Sequence, residues 1–218
     1  MNIHSIYKLF FRIYRIRRLK RFASLFDLTS NATLLDVGGS SYFWELCKEI
    51  GVPIPQVTIL NLGEAPAGLD PAMQWVIGDA RAIPFLDQSF DYVFSNSVIE
   101  HVGDDASQFK MAREIRRVGR NYFVQTPDRR FPFEPHLLTP LIHWLPRRYY
   151  ERLVPRFTLR HWLNGSAEDD AEIMGIRLLN RNRMKSLFPD GTLLVERTAG
   201  WPKSLIAFRS VSFPSRRK

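Results

Sequence analysis

The sequence predicts an α/β fold: a mostly parallel seven-stranded sheet with helices on both faces, a C-terminal antiparallel hairpin, and a lid insertion after the fifth strand. Three observations carry this prediction. Short apolar runs alternate with segments of helical periodicity from Thr33 to Gln125. Those runs are apolar on both sides, as strands covered by two helical layers are. The C-terminal end instead sets two strand-like runs around Gly200-Trp201-Pro202, a hairpin pattern. With 218 residues, 45% of them hydrophobic and 24% charged, the chain has material for one domain with a full core.

Residues 3–22 open the chain as an amphipathic helix, with Ile3, Ile6, Tyr7, Phe10 and Tyr14 on one face and arginines around much of the rest. Basic residues beside aromatic ones suit a peripheral contact with an anionic membrane. A helix packed across the domain and an arginine-rich transit segment give the same pattern, and all three readings stay open. Charges interrupt every candidate apolar core, so a secretory signal is not expected. Thr33–Val37 then forms the first strand, Gly38-Gly39-Ser40-Ser41 a turn, and 42–50 a helix ended by Gly51. Val57–Asn61 and Trp75–Ile77 are the second and third strands. Phe90–Ser95 is the fourth, followed by a helix over 104–118 carrying Phe109, Ala112, Ile115 and Val118. Tyr122–Gln125 is the fifth, stopped by Pro127. From 128 to 175 the alternation gives way to proline, aromatic residues and the acidic run Glu168-Asp169-Asp170. So long an irregular stretch inside a domain is a lid or a substrate-facing insertion. A helix over 178–188 and the strands Thr192–Arg197 and Leu205–Ser210 complete the core within 176–211, and 212–218 is a basic tail.

The formal charge of +9 is concentrated at the ends. Residues 1–26 hold seven basic residues and no acid, whereas 27–208 hold 20 basic residues against 22 acidic ones. The near-neutral body argues against a nucleic-acid partner with a broad backbone footprint. No apolar run approaches the ~20 residues of a spanning helix. The single cysteine, Cys47, excludes an internal disulfide and a cysteine zinc cluster, and fits a reducing, cytoplasmic setting.

In an open parallel sheet, ligands bind beyond the carboxyl ends of the strands, so the residues following each strand are the candidates. They are Asp36, Gly38 and Gly39 after the first, and Asn61 with Leu62 after the second. Asp79 and Ala80 follow the third, and Asn96 and Ser97, then Glu100 and His101, the fourth. Glycines let a ligand approach the backbone, and a helix N-terminus attracts negative charge. At the mouth of the insertion, Glu134 and His136 can orient or deprotonate a hydroxyl. The duller readings are a turn or capping aspartate for Asp79, a turn residue for Asp91 and a capping or packed histidine for His101. Cys47, Phe43 and Trp44 read as core, and Glu134 and His136 also fit a proline-stiffened loop facing water. Arg147-Arg148-Tyr149-Tyr150 mixes arginine and aromatic residues as phosphate binders and solvated helix faces both do.

In this order the motifs resemble those of the class I, Rossmann-like S-adenosylmethionine-dependent methyltransferases over residues 32–127. Leu34-Leu35-Asp36-Val37-Gly38 is similar to the family's first motif, and Gly78-Asp79-Ala80 with Ile83-Pro84-Phe85 to its adenine segment. Phe90-Asp91-Tyr92-Val93 through Ile99-Glu100-His101-Val102 resembles the fourth motif. The resemblance implies S-adenosylmethionine as cofactor, with the first turn wrapping its methionine part. It implies Asn61 at the ribose, where the family has an acid, and Asp79 at the adenine amino group. Ser40 and Tyr42 stand where the family's second and third loop glycines stand. The expected function is methyl transfer to a small molecule, a saccharide or a lipid-linked acceptor, with O-methylation favoured and His101, Glu134 and His136 on the acceptor side. The alternatives are an RNA methyltransferase and a non-catalytic scaffold that keeps the fold. A dinucleotide oxidoreductase needs a G-x-G-x-x-G turn that Gly38–Phe43 lacks. The oligomeric state is not legible.

Overall fold

The computed structural model describes residues 3–134, 139–145, 149 and 175–211. In chain order these form α1 (Ile3–Leu25), β1 (Thr33–Val37), α2 (Ser41–Glu49), β2 (Gln56–Asn61), β3 (Gln74–Ile77), β4 (Phe90–Asn96), α3 (Asp105–Val118) and β5 (Gly119–Pro127). There follow the short β6 (Phe133–Glu134) and β7 (Thr139–Pro140), a single 3-10 turn at Ile142–Trp144, α4 (Arg181–Leu187), β8 (Thr192–Thr198) and β9 (Trp201–Arg209). Seven strands share one sheet in the order β3-β2-β1-β4-β5-β9-β8, and β6 pairs with β7 separately. β1 lies parallel to both β2 and β4, and β2 parallel to β3.

The strands fall where continuous apolar runs predict, with β5 beginning three residues earlier than its apolar core. Two details differ. The hairpin turn sits at Ala199-Gly200, both with positive φ (47° and 83°), the backbone that a two-residue turn between twisted strands requires. Trp201 and Pro202 therefore open β9 instead of forming the turn. In α3, Phe109 is 53% exposed, and the buried stripe runs through Met111, Ala112, Ile115 and Val118. Asp105 in its first turn and Arg116 and Arg117 in its last complement the helix dipole.

The chain groups into two compact units, one of residues 1–96, 110–124 and 208–218 and one of 97–109 and 125–207. The core of the first is aromatic. Phe94 on β4 stacks on Phe123 of β5 (5.5 Å between centroids, 7° between planes) and meets Phe43 and Trp44 of α2 at 4.7 and 5.6 Å. Phe22 of α1 closes the cluster, edge-on to Phe94 at 5.1 Å and to Phe123 at 5.5 Å. Asp91 is structural here. Its Oδ2 accepts from the Thr33 N–H and hydroxyl at 2.9 and 3.0 Å, tying the starts of β1 and β4. In the second unit, Leu179, Met184, Leu187, Phe188, Leu205 and Ile206 are buried, and Asn180 caps α4 by accepting from the Arg183 N–H at 2.9 Å.

The C-terminal half of α1 is thus a packed helix, with Leu19 and Phe22 fully buried. The predicted apolar positions Ile3, Ile6, Tyr7 and Phe10 lie outside the described side chains, as does most of the predicted insertion, 128–175. No described helix is long and apolar enough to cross a membrane. Phe22→Ala leaves a cavity against the rings of Phe26, Tyr92, Phe94 and Phe123 and is expected to cost about 3–5 kcal/mol, as large buried aromatic truncations do. A denaturant titration reads this directly, whereas a helix merely lying on the surface would lose under 1 kcal/mol.

Candidate functional site

The first unit assembles the carboxyl ends of β1 to β4. Asp36 registers with Ile59 on β2 and with Phe94 on β4, and cross-strand partners share a sheet face. The acid therefore stands on the aromatic face covered by α1 and α2. It is 1% exposed, and its Oδ2 accepts from Trp44 Nε1 at 2.8 Å. Oδ1 has no hydrogen-bond partner among the described residues. Burial pushes its pKa up to about 7, against a smaller downward pull from the Trp44 hydrogen bond. Gly38 follows with φ 72°, its N–H donating to Leu60 O at 2.7 Å. Gly39 lies against the acid so closely that a Cβ there would fall 1.8 Å from Asp36 Oδ2. Cys47 is buried as predicted, and burial, then Asp36, push its thiol up to about 12.

Asn61 braces this turn from β2. Its Nδ2 donates to Gly39 O at 3.0 Å and its Oδ1 accepts from Leu62 N at 2.8 Å, leaving one amide hydrogen and one lone pair outside these two bonds. Leu62 and Ile77 are 75% and 60% exposed at the ends of β2 and β3, where Gly78 N donates to Asn61 O at 2.9 Å. Asp79 and Ala80 follow directly after β3 and Gly78. Asp79 does make a turn, accepting from Arg81 N at 2.8 Å, and it pairs with the Arg81 guanidinium, whose NH2 lies 2.6 Å from Oδ2. Hydrogen bonding from Arg81 holds its carboxyl below the usual range. Sequence reasoning did not foresee how α3 pins the following loop. Arg117 donates to the Ile83 and Phe85 carbonyls at 3.0 and 2.8 Å, and Glu114 Oε2 accepts from Ile83 N at 3.0 Å.

Asn96 ends β4, and its Oδ1 accepts from Arg18 NH1 at 2.5 Å. Arg18, 5% exposed, was not among the sequence candidates. The signal was an arginine four residues after Tyr14 and four before Phe22, on the apolar stripe of α1. Arg15, further along the same helix, lies over the Tyr42 ring at 5.2 Å.

The remaining candidates belong to the second unit. Ser97 adopts φ 57°, and its N–H and hydroxyl donate to the Gln125 carbonyl and Oε1 at 2.9 and 3.0 Å. His101 is exposed on a turn closed by its N–H to Val98 O at 2.8 Å. Glu100, fully buried, accepts from Thr126 Oγ1 at 2.9 Å. Glu134 is placed through its backbone in β6, and His136 lies outside the described residues. Of the predicted set, Asp36, Gly38, Gly39, Asn61, Leu62, Asp79, Ala80 and Asn96 thus line one group of strand ends. Among the described residues no cluster of His, Cys, Asp and Glu could hold a metal ion.

Comparison with known proteins finds a likeness over these strands. A family described as a methyltransferase domain matches residues 35–122, which run from β1 into β5. Over this stretch the chain is similar to methyltransferase domains. The demethylmenaquinone methyltransferase of Roseiflexus castenholzii is 35% identical over 81 residues, 37% of this chain and 31% of that protein. The ajmaline N-methyltransferase of Rauvolfia serpentina is 38% identical over 72 residues, 33% of this chain and 24% of that one. The chain thus spans about a third and a quarter of the length of these curated relatives. A phosphoethanolamine N-methyltransferase of Haemonchus contortus, solved with phosphomonomethylethanolamine and S-adenosylhomocysteine, shares the fold. Its TM-score is 0.56 at 16% identity over 84% of this chain and 38% of that one.

The buried acid Asp36 makes stability pH-dependent. Its folded pKa of about 7 lies above its ordinary value of 3.8, so the folded state binds the proton more tightly and stability falls as pH rises from about 4 through 7. Asp36→Asn keeps an acceptor for Trp44 and removes the titration. Its melting curve is expected to lose that dependence and to exceed wild type at pH 8 by up to about 4 kcal/mol, the linkage value of a three-unit shift.

Proposed function

We propose that the chain is an S-adenosylmethionine-dependent methyltransferase acting on a small-molecule, saccharide or lipid-linked acceptor, with O-methylation as the favoured reaction. The observation that carries the cofactor half is the Gly38-Gly39 turn held by Asn61, with Asp79 following the neighbouring strand β3. Exposed Leu62 and Ile77 offer apolar surface to an adenine ring, and the Asp79 carboxylate is an acceptor for its amino group. Asn61 offers its remaining hydrogen and lone pair to ribose hydroxyls. The partnerless Oδ1 of Asp36 provides an acceptor beneath the turn, where the methionine end belongs. When bound, S-adenosylmethionine supplies a methyl group on a sulfonium leaving group. The protein's part is then to hold acceptor and methyl in line and, for a hydroxyl acceptor, to take its proton. His101, Glu134 and His136 are the proposed groups for that proton.

The quinone and amine substrates in the relatives' names support a small acceptor. The setting we propose is cytoplasmic. The packing of Leu19 and Phe22 leaves residues 3–11 as the stretch of α1 for any peripheral membrane contact.

The test is calorimetric titration with S-adenosylmethionine and S-adenosylhomocysteine. Micromolar binding that Asp79→Ala weakens at least tenfold supports the reading. A folded protein that binds neither ligand is a scaffold, and the reading fails. Once an acceptor is found in a panel of phenols, amines, sugars and quinols, His101→Ala, Glu134→Gln and His136→Ala identify the base. Loss of that group is expected to lower kcat by about 10²-fold or more with S-adenosylhomocysteine affinity unchanged. Three variants of undiminished kcat would show that the acceptor arrives already ionised.

A further inference from the structure

Arg117 of α3 commits its whole guanidinium to Glu114 and one neighbouring loop. Its Nε donates to Glu114 Oε1 at 2.9 Å and its Nη2 to Glu114 Oε2 at 2.7 Å. Nη1 donates to Phe85 O and to Asp87 Oδ1, both at 2.8 Å, and Nη2 also donates to Ile83 O at 3.0 Å. A guanidinium offers about five N–H donors, and these bonds engage each of its nitrogens. Glu114, 7% exposed, accepts in turn from Ile83 N at 3.0 Å, and Gln88 N donates to Arg117 O at 2.8 Å. Hydrogen bonding from Arg117 holds the Glu114 carboxyl below its usual range, so the pair is ionised and its bonds are charge-assisted.

The segment held this way closes back on the end of β3. Gly78 N donates to Asn61 O at 2.9 Å, which ties the start of the loop to β2. A Cβ at Gly78 would fall 2.7 Å from Leu60 Cδ1 and 3.5 Å from Pro84 Cδ, so Pro84 lies against the residue where the loop begins. Only Asp79 to Ile83 run between these points, with Ala82 N donating to Asp79 O at 2.9 Å. Ile83 is 3% exposed, and beyond it Phe85 meets Phe90 edge-on at 4.9 Å. Arg81 N and Nε donate to Asp79 Oδ1 at 2.8 and 3.0 Å and set the plane of the carboxylate. Loops are ordinarily the mobile parts of a fold. Here both ends are fixed before any ligand arrives, and a group fixed in advance binds with little ordering penalty.

We propose that Arg117 and Glu114 are positioning residues for purine recognition: by fixing the loop after β3 they hold the Asp79 carboxylate in place for an exocyclic amino group. This rests on the function proposed above, which sets Asp79 at the adenine. The test compares two ligands by calorimetry, S-adenosylhomocysteine and its 6-deamino analogue, which has a hydrogen in place of the adenine amino group. The analogue leaves the carboxylate unpaired, so wild type is expected to prefer the adenosyl ligand by about tenfold or more. Arg117→Lys keeps the charge but not the planar fork. It is expected to weaken the adenosyl ligand about tenfold, to leave the analogue unaffected and so to abolish the preference. Glu114→Gln turns an amide N–H toward the donors of Arg117 or Ile83, and carries the same expectation if Arg117→Lys does not fold. In Asp79→Ala the preference is already gone, and adding Arg117→Lys is expected to change the ratio no further. Lys110→Gln, exposed on α3, is expected to change neither affinity. Equal losses on both ligands, with the preference kept, would make the pair merely structural and overturn the proposal. So would unchanged affinities. A wild type that binds both ligands equally also overturns it and leaves the methyltransferase reading intact. If wild type binds neither ligand, that reading fails and this one with it.

Discussion

The edge-on packing of Phe22 against Phe94 fixes more of this molecule than any other contact. Phe94 sits midway along the aromatic face of β4, already stacked on Phe123 and flanked by Phe43 and Trp44. Adding Phe22 to that cluster docks α1 in one register, because a close-packed aromatic face offers few alternative fits. The register then decides where every polar residue of the helix falls. Arg18 lands at the end of β4, Arg15 at the start of α2, and Arg12 within 2.5 Å of Glu49. Apolar packing thus sets the position of charges that could not hold a helix in place themselves, exposed ion pairs contributing under about 1 kcal/mol.

The same face explains the acid. An aspartate between Ile59 and Phe94, roofed by Trp44, sits where water does not reach, and its proton is held because the charged form has little to replace solvation. The arrangement is interlocked. Trp44 needs Asp36 for its buried N–H, Asp36 occupies the space a Cβ at residue 39 would take, and the carbonyl of Gly39 is held by Asn61. A residue that costs stability at neutral pH is tolerated at functional sites when the surrounding structure over-determines it. Here helix, turn and neighbouring strand all do so.

The strands were legible because each follows from a local apolar run, and the expectation of a ligand at their carboxyl ends comes from the general rule for parallel sheets. Asn61 shows where that reading stopped. Its position was read correctly, but its bond to the Gly39 carbonyl depends on the geometry of a turn that no sequence spacing reveals. Arg18 was passed over because an arginine on a helix rich in arginines looks solvated. Only its coincidence with the stripe through Tyr14 and Phe22 marks it, and judging that requires knowing what the stripe packs against. The hairpin turn was misplaced by two residues because Gly-Trp-Pro reads as a turn, while the positive φ falls to Ala199 and Gly200. For the acceptor side, the family match ends at residue 122, and methyl transfer imposes no fixed catalytic residue.

The two substitutions in the first loop, Ser40 and Tyr42, change meaning once their backbone is known. Ser40 is extended at φ −142° and ψ 158°, which any residue adopts, and Tyr42 lies inside the first turn of α2. Neither position requires glycine for its conformation, and the demand for left-handed backbone falls on Gly38 alone. What the substitutions alter is shape. At 43% exposure, with Arg15 over its ring, Tyr42 stands as a wall beside the turn where a third glycine would leave open backbone. Gly38 and Gly39 are then the open backbone of the turn, with side chains on either flank. The loop has exchanged main-chain contact for contact with a helix that Phe22 holds in place.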